Sequence, residues 1–154
     1  MTLEDPDGIS REIKIAGRAD RFDIHVNDDT AAAVIDYKNQ KMKKIAQRAE
    51  HILNDPQLLI YARAANENPV AAHLPGRTVD QAEWVSLKAE LDKGEAKNIR
   101  ANAVEDMPTL MDQFSVQIEK DLNVLWARQS MQAFAPNSVC QYCEARGICR
   151  KGMW

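Results

Sequence analysis

Residues 31–38 have the sequence AAAVIDYK, an apolar and partly β-branched run that predicts a strand. Successive side chains of a strand point to opposite faces. Asp36 and Lys38 therefore share one face of this strand, while Ile35 and Tyr37 share the other. The strand carries a carboxylate and an ammonium side by side.

A second strand precedes this one. Residues 11–26 (REIKIAGRADRFDIHV) alternate apolar and polar side chains, and their apolar parity changes near Gly17. The polar turn at residues 27–30 is so short that the two strands must run antiparallel. We expect a hairpin with a bulge or kink near Gly17.

Two helices are predicted after the hairpin. Residues 41–53 place their apolar side chains on one helical face and mostly basic side chains elsewhere. Asp55 is suited to an N-cap and Pro56 to the first helical position, which predicts a second helix over residues 57–67. Asn68-Pro69 then ends that helix.

The rest of the chain completes a mixed α/β pattern. Short strands are predicted at residues 70–74 and 83–88, a polar loop at 93–102, and a long helix from Pro108 to near Phe134. Together these elements predict a small mixed sheet, centred on the antiparallel hairpin and flanked by helices. A Cys-containing segment follows.

Length and composition limit the function classes. The 154 residues, of which 45% are hydrophobic and 28% charged, predict one folded domain without a membrane span or signal peptide, which indicates a cytoplasmic protein. The formal net charge of -3 argues against a simple DNA-coating protein. It does not exclude an enzyme whose acidic residues hold cations at a phosphate.

The hairpin carries the strongest chemical pattern. Asp20 on the first strand is expected beside Asp36, so that two carboxylates can hold Mg²⁺ or Mn²⁺ with Lys38 next to the ion. Such a cation lowers the pKa of a bound water, and Lys38 can orient the attacking hydroxide or stabilise charge on a phosphate. The alternative is a surface ion pair between Asp36 and Lys38, contributing ~0–1 kcal/mol.

Four sequence blocks resemble one known family. GRADRFD at residues 17–23, IDYK at 35–38, QLLIYA at 57–62 and the C-x2-C-x5-C pattern of Cys140, Cys143 and Cys149 are similar to the PD-(D/E)XK nucleases of the RecB and AddB type. The blocks occur in the family's order and cover residues 11–150. The resemblance implies a restriction-endonuclease-like core and a metal-dependent DNA exonuclease.

The resemblance also assigns roles to individual residues. It implies that Asp20 and Asp36 bind Mg²⁺ or Mn²⁺ and that Lys38 is the catalytic lysine. Gln57 and Tyr61 match the family's Q-x3-Y motif, which contacts DNA or supports the ligands. Without the resemblance, Gln57 and Tyr61 are a polar residue at a helix start and a half-buried core tyrosine.

Three cysteines in a short segment predict metal or cluster ligation rather than disulfides. Structural zinc and iron–sulfur sites normally use four protein ligands. The resemblance implies that the fourth Cys of a 4Fe-4S cluster lies upstream. We therefore expect the 154 residues to be a fragment or a shortened domain. Zinc completed by one of the three histidines, unligated Cys and thiol-based redox chemistry are alternatives; these histidines are His25, His51 and His73.

The expected organisation is a nuclease core over residues 1–135 and a Cys segment over residues 136–154 of the same domain. The resemblance implies a part of a helicase–nuclease or of a repair and recombination protein, with DNA and a helicase domain or subunit as partners. The alternative function is a noncatalytic nuclease-like module that holds DNA or a partner subunit.

Several other side chains are candidates for DNA contact. Arg18 and Arg21 can contact phosphates or pair with nearby acids such as Asp23. Trp84 and Trp126 can stack on bases, although a core role is favoured. The basic side of the first helix can line a DNA path or remain a solvated face; its members are Lys41, Lys43, Lys44 and Arg48.

Overall fold

A computed structural model describes residues 2–88, 90–92, 95–97, 100–129, 140, 142–144 and 149. The strands are β1 (Thr2–Glu4), β2 (Ser10–Glu12), β3 (Arg21–Ile24), β4 (Ala31–Lys38), β5 (Thr78–Ser86), β6 (Glu90–Asp92), β7 (Glu95–Lys97) and β8 (Arg100–Ala103). The helices are α1 (Met42–Glu50), α2 (Gln57–Glu67) and α3 (Met107–Trp126), with a 3₁₀ turn at Ile52–Asn54 between α1 and α2.

The central sheet has four strands in the order β3-β4-β5-β8. Strand β4 pairs antiparallel with β3 and parallel with β5, and β8 closes the other edge antiparallel to β5. Helices α1 and α2 lie in the connection between the parallel strands β4 and β5, as a parallel crossover requires. The predicted hairpin and the mixed α/β class are confirmed.

One face of the sheet carries the hydrophobic core. Strands β4 and β5 supply Val34 and the fully buried Trp84, and helix α2 supplies Leu58 and Leu59, also fully buried. Helix α3 adds Phe114, which is 5% exposed. Trp84 therefore has the core role that the sequence favoured and presents no ring surface to bases.

The β4–β5 pairing contains a bulge that helix α2 stabilises. Ala32 pairs with Val79 but Ala33 pairs with Gln81, so one residue of β5 is extra. The side-chain amide of Asn66 accepts from Val79 N at 2.7 Å and donates to Val79 O at 3.0 Å. It thus satisfies both backbone groups of Val79, the residue just before the extra one.

The prediction of one strand over residues 11–26 was wrong. Strand β2 pairs with β1 in a separate two-stranded sheet, and β3 begins only at Arg21. Between them the chain passes Tyr61, which stands against Gly17. The change of apolar parity near Gly17 therefore marks a break between two sheets, not a bulge within one strand.

Two further local predictions are wrong because nearby groups form other hydrogen bonds or ion pairs. Residues 70–74 form turns, since Asn68 and Pro69 accept hydrogen bonds from Ala72 and Leu74. Asp55 does not cap α2, because its carboxylate pairs with Arg48 and Pro56 takes the N-cap position without a side-chain bond.

Three other predicted elements have different bounds in the structure. The predicted loop over 93–102 contains β7 and the start of β8, because β5 offers β8 a pairing edge. The predicted strand 83–88 is the second half of β5, which begins at Thr78. Helix α3 ends at Trp126 rather than near Phe134, and Arg128 adopts a positive φ of 55°. Residue 134 and the expected boundary at 135/136 lie outside the described residues.

In the described part of the chain, no helix has both the length and the apolar character needed to cross a membrane.

Candidate active site

The carboxyl end of β4 places a buried ion pair at the edge of the core. Asp36 is 3% exposed, and its Oδ2 lies 2.6 Å from Lys38 Nζ. Burying two charges carries a desolvation cost that the attraction between them only partly offsets. The alternative of a solvated surface pair is therefore wrong, and the pair is a costly feature in a place where apolar side chains would pack.

Gln57, the first residue of α2, joins the two charged groups. Its Oε1 accepts a hydrogen bond from Lys38 Nζ at 2.7 Å, while its Nε2 donates to Asp36 Oδ1 at 3.1 Å. The same Nε2 donates to the hydroxyl of Tyr61 at 2.9 Å. Gln57 and Tyr61 are four residues apart on one helical face, so the helix itself sets their relative position. Four predicted site residues thus form one hydrogen-bonded network.

Asp20 lies beside the end of β4, in the residue just before β3. The antiparallel ladder ends at the pair Arg21–Ile35, so Asp20 comes one residue before it on one strand and Asp36 one residue after it on the other. Asp20 Oδ2 accepts a hydrogen bond from the backbone N–H of Tyr37 at 2.9 Å. The Asp20 carboxylate therefore accepts the hydrogen bond of the Tyr37 N–H in place of a backbone carbonyl, because β3 begins only at Arg21. Asp20 is exposed and Asp36 is buried, so the two acids lie at different depths.

The structure does not bring Arg21 to this site. Residues directly opposite each other share a face of the sheet, and Arg21 opposes Ile35, on the face away from Asp36. Arg21 Nε lies 2.5 Å from Asp23 Oδ1, and Nη1 lies 3.2 Å from the Tyr37 hydroxyl. Both bonds raise the pKa of Arg21, and the bond to Asp23 has the larger effect. Arg18 is exposed.

Arg48 does not belong to the basic surface of α1. Its guanidinium pairs with Asp55 and donates to Gln40 Oε1 at 3.1 Å. Lys41, Lys43 and Lys44 remain exposed. The basic side of this helix is therefore confined to its first turn.

Sequence reasoning missed the support behind Tyr61. A Cβ atom at residue 17 would lie 2.9 Å from Tyr61 Cε1, so the ring needs a glycine beside it. A glycine inside a strand-like run is a signal of close backbone approach, but it does not identify the partner. Only the docking of α2 against the hairpin does so.

The two carboxylates fit a hard divalent cation. Asp36 Oδ2 is buried and is paired with the Lys38 ammonium at 2.6 Å. Mg²⁺ is commonly held by one or two carboxylates and completes its shell with water and substrate phosphate. Asp20 and Asp36 are carboxylates of that kind. Among the described residues there is no group of three or more His, Cys, Asp or Glu side chains that suits a metal.

The Cys segment does not show such a fit. The backbone N–H of Cys143 donates a hydrogen bond to the backbone carbonyl of Cys140 at 3.3 Å. Cys143 is exposed, and the three thiols do not form a ligand group within the described residues. Most of residues 141–154 lie outside the description, and an iron–sulfur or zinc site there stays a prediction.

Comparison with known proteins identifies one family. The family model of the PD-(D/E)XK nuclease superfamily matches residues 2–150. Searches of the curated proteins and of the solved structures find no significant match.

Proposed function

The chain belongs to the PD-(D/E)XK nuclease superfamily, and from this premise we propose that it is a metal-dependent deoxyribonuclease acting through Asp20, Asp36 and Lys38. The observation that carries the proposal is the buried network in which Gln57 binds both Asp36 and Lys38. A polar network in a core costs stability unless every member is satisfied. Its position at the end of a central strand favours a catalytic use.

Asp20 and Asp36 would hold Mg²⁺ or Mn²⁺. When bound, such an ion lowers the pKa of water and offsets negative charge on the phosphate. Buried Asp36 fixes the inner side of this site and exposed Asp20 its solvent side. A phosphodiester can therefore approach from the side of Asp20.

Lys38 supplies the positive charge next to these acids. Gln57 Oε1 and Asp36 Oδ2 hold its ammonium group, so its position is set before substrate arrives. A preorganised donor of this kind stabilises charge that develops on the phosphate oxygens or orients the attacking water. Its side chain is 20% exposed, against 4% for Asp36, so Lys38 is the more exposed member of the pair.

Gln57 and Tyr61 are positioning residues in this proposal. The Gln57 amide fixes the rotamers of Asp36 and Lys38, and the Tyr61 hydroxyl fixes the amide. Outer partners of metal ligands commonly contribute about 10–100-fold to affinity or activity.

We also propose, from the resemblance of the four sequence blocks, that the cleavage is exonucleolytic and serves a helicase–nuclease or a repair and recombination protein. A cluster or zinc ion at Cys140, Cys143 and Cys149 is part of the same proposal. No step of the hydrolysis described above uses those thiols.

The experiment is cleavage of end-labelled linear DNA, single- and double-stranded, with Mg²⁺, with Mn²⁺ and with EDTA. Asp20→Asn, Asp36→Asn and Lys38→Met are compared with Asp112→Asn, an exposed aspartate on α3. We expect the three site variants to lose at least ~100-fold in rate. The Asp112 variant should keep the wild-type rate.

Asp20→Asn should disturb the fold least of the three site variants. Residue 20 is exposed, and the amide Oδ1 of the asparagine can still accept a hydrogen bond from Tyr37 N. Circular dichroism checks that each variant is folded. A closed circular substrate separates exonuclease from endonuclease cleavage. DNA binding by folded wild type without cleavage in either metal would overturn the proposal in favour of the noncatalytic module.

A further inference from the structure

The carboxyl ends of the parallel strands β4 and β5 lie side by side. Lys38 is in register with Ser86, and Leu87 N donates to Lys38 O at 2.9 Å. The Ser86 hydroxyl, in a residue that is 1% exposed, donates to Gln40 O at 2.6 Å. The segments that follow both strands therefore leave the sheet side by side at the carboxyl ends of β4 and β5, where ligands of α/β sheets commonly bind.

These strand ends gather lysines from two distant parts of the sequence. Three of them follow β4, and Lys88 follows β5, held by a bond from its N to Ser86 Oγ at 3.3 Å. All four are exposed, and none of their ammonium groups makes an ion pair or a hydrogen bond with another described residue. We call them the lysine surface: Lys41, Lys43, Lys44 and Lys88.

The charges do not stabilise the helix on which they stand. Lys43 and Lys44 lie in the first turn of α1, which has no acidic residue and no side-chain cap. Cations there oppose the partial positive charge of a helix start. Where a sequence contradicts a local stability rule, a functional cause is the common explanation.

The opposite end of α1 has the opposite sign. Glu50 ends the helix, and it lines a groove together with Glu105 and Asp106. In a chain of net charge -3, a polyanion is therefore attracted to the start of α1 and repelled from its end.

We propose that the lysine surface binds backbone phosphates that neighbour the phosphodiester being cut, on the same DNA strand. This inference rests on the proposed nuclease function. Lys41 is three residues after Lys38, so their Cα atoms are at most ~11 Å apart. That upper limit corresponds to at most about three nucleotides along one strand. Lysine contacts to phosphate position a strand without reading its bases.

The test measures the salt dependence of DNA binding. Lys43→Gln/Lys88→Gln is compared with Lys14→Gln/Lys120→Gln, which removes two charges from exposed lysines outside the lysine surface. Binding of a short fluorescent DNA strand of mixed sequence is titrated in EDTA at several NaCl concentrations. Each lost phosphate contact should reduce the slope of log K against log[salt] by ~0.7–0.9.

We expect this reduction in the first double variant alone, together with a raised KM and a kcat within about two-fold of wild type. Equal slopes in wild type and both double variants would overturn the lysine surface, even if DNA is cut. A lysine-dependent slope in a protein that cuts no DNA would instead overturn the nuclease proposal and leave this surface standing.

Discussion

Tyr61 stands directly against Gly17, so that a Cβ atom at residue 17 would come within 2.9 Å of Tyr61 Cε1. Contacts this short require one group to move. The ring is tied at its other end, because its hydroxyl accepts a hydrogen bond from Gln57 Nε2 at 2.9 Å. A side chain at residue 17 would therefore act on the candidate active site through Tyr61.

Gly17→Ala should lower the cleavage rate by about ten-fold, since misplacement of a catalytic group by 1 Å can cost about 100-fold. In the background of Tyr61→Phe, which lacks the hydroxyl, the same change should have a smaller effect. The measurement is kcat for the four members of this double-mutant cycle. An identical factor in both backgrounds would show that Gly17 acts by another route.

Gln57→Ala should lower kcat or the apparent Mg²⁺ affinity by about 10–100-fold, because Asp36 and Lys38 lose the amide that fixes both. Gln113→Ala, an exposed glutamine on α3, is the matched control. Steady-state kinetics across a Mg²⁺ titration separates the two effects. A purely structural role would reduce the amount of folded protein and leave the kinetics of the folded fraction unchanged.

Asn66→Asp should destabilise the fold by about 1–3 kcal/mol. The new carboxylate still accepts from Val79 N, but it cannot donate to Val79 O, a backbone group of a residue that is 2% exposed. Asn68→Asp is the control, because Asn68 only accepts, from Ala71 N. It should change the free energy of unfolding by less than about 1 kcal/mol. Urea denaturation measures both values, and equal losses would contradict the role of Asn66 in the bulge.

Acid should loosen the β1–β2 hairpin through Asp5. Hydrogen bonds hold the pKa of Asp5 below its ordinary value of 3.8. The bond from the backbone N–H of Ile9 has the largest effect, and the bonds from Arg11 and from the N–H of Asp7 add to it. Because the folded pKa is lower than the unfolded one, this stabilisation is complete above the unfolded pKa and is lost as the pH falls through the folded pKa.

The Ile9 amide resonance, followed between about pH 5 and pH 2, should report this titration in the wild type. Asp5→Asn should remove it, while Asp7→Asn should retain it, because the Asp7 backbone N–H remains. A midpoint at or above 3.8 in the wild type would show that the Ile9 bond does not favour the carboxylate.

Some elements follow from local sequence alone. Strand β4 and helix α2 have the predicted bounds at both ends. The first is a run of apolar residues after a polar turn, and the second has a helical period that Asn68-Pro69 interrupts. Both signals lie within the element and need no distant partner. The shared face of Asp36 and Lys38 follows equally directly, because a strand repeats every two residues.

Other elements depend on contacts that no local pattern records. Strand β8 forms because β5 presents a free edge, and the polar sequence at residues 100–103 shows no strand signal of its own. Residues 13–20 leave the sheet where Gly17 meets Tyr61. The helical period places Arg48 on a basic face, but its guanidinium pairs with Asp55.

The sequence by itself determined the two central elements and put an acid and a lysine on one face of a strand. Only the tertiary structure decided that Asp36 is buried and that Gln57, 21 residues later, binds it. Strand and helix periods act over a few residues and are encoded locally. Burial, hydrogen bonds between elements and the contact of Gln40 with Ser86 at the end of β5 arise only when the chain packs, because they join residues far apart in sequence.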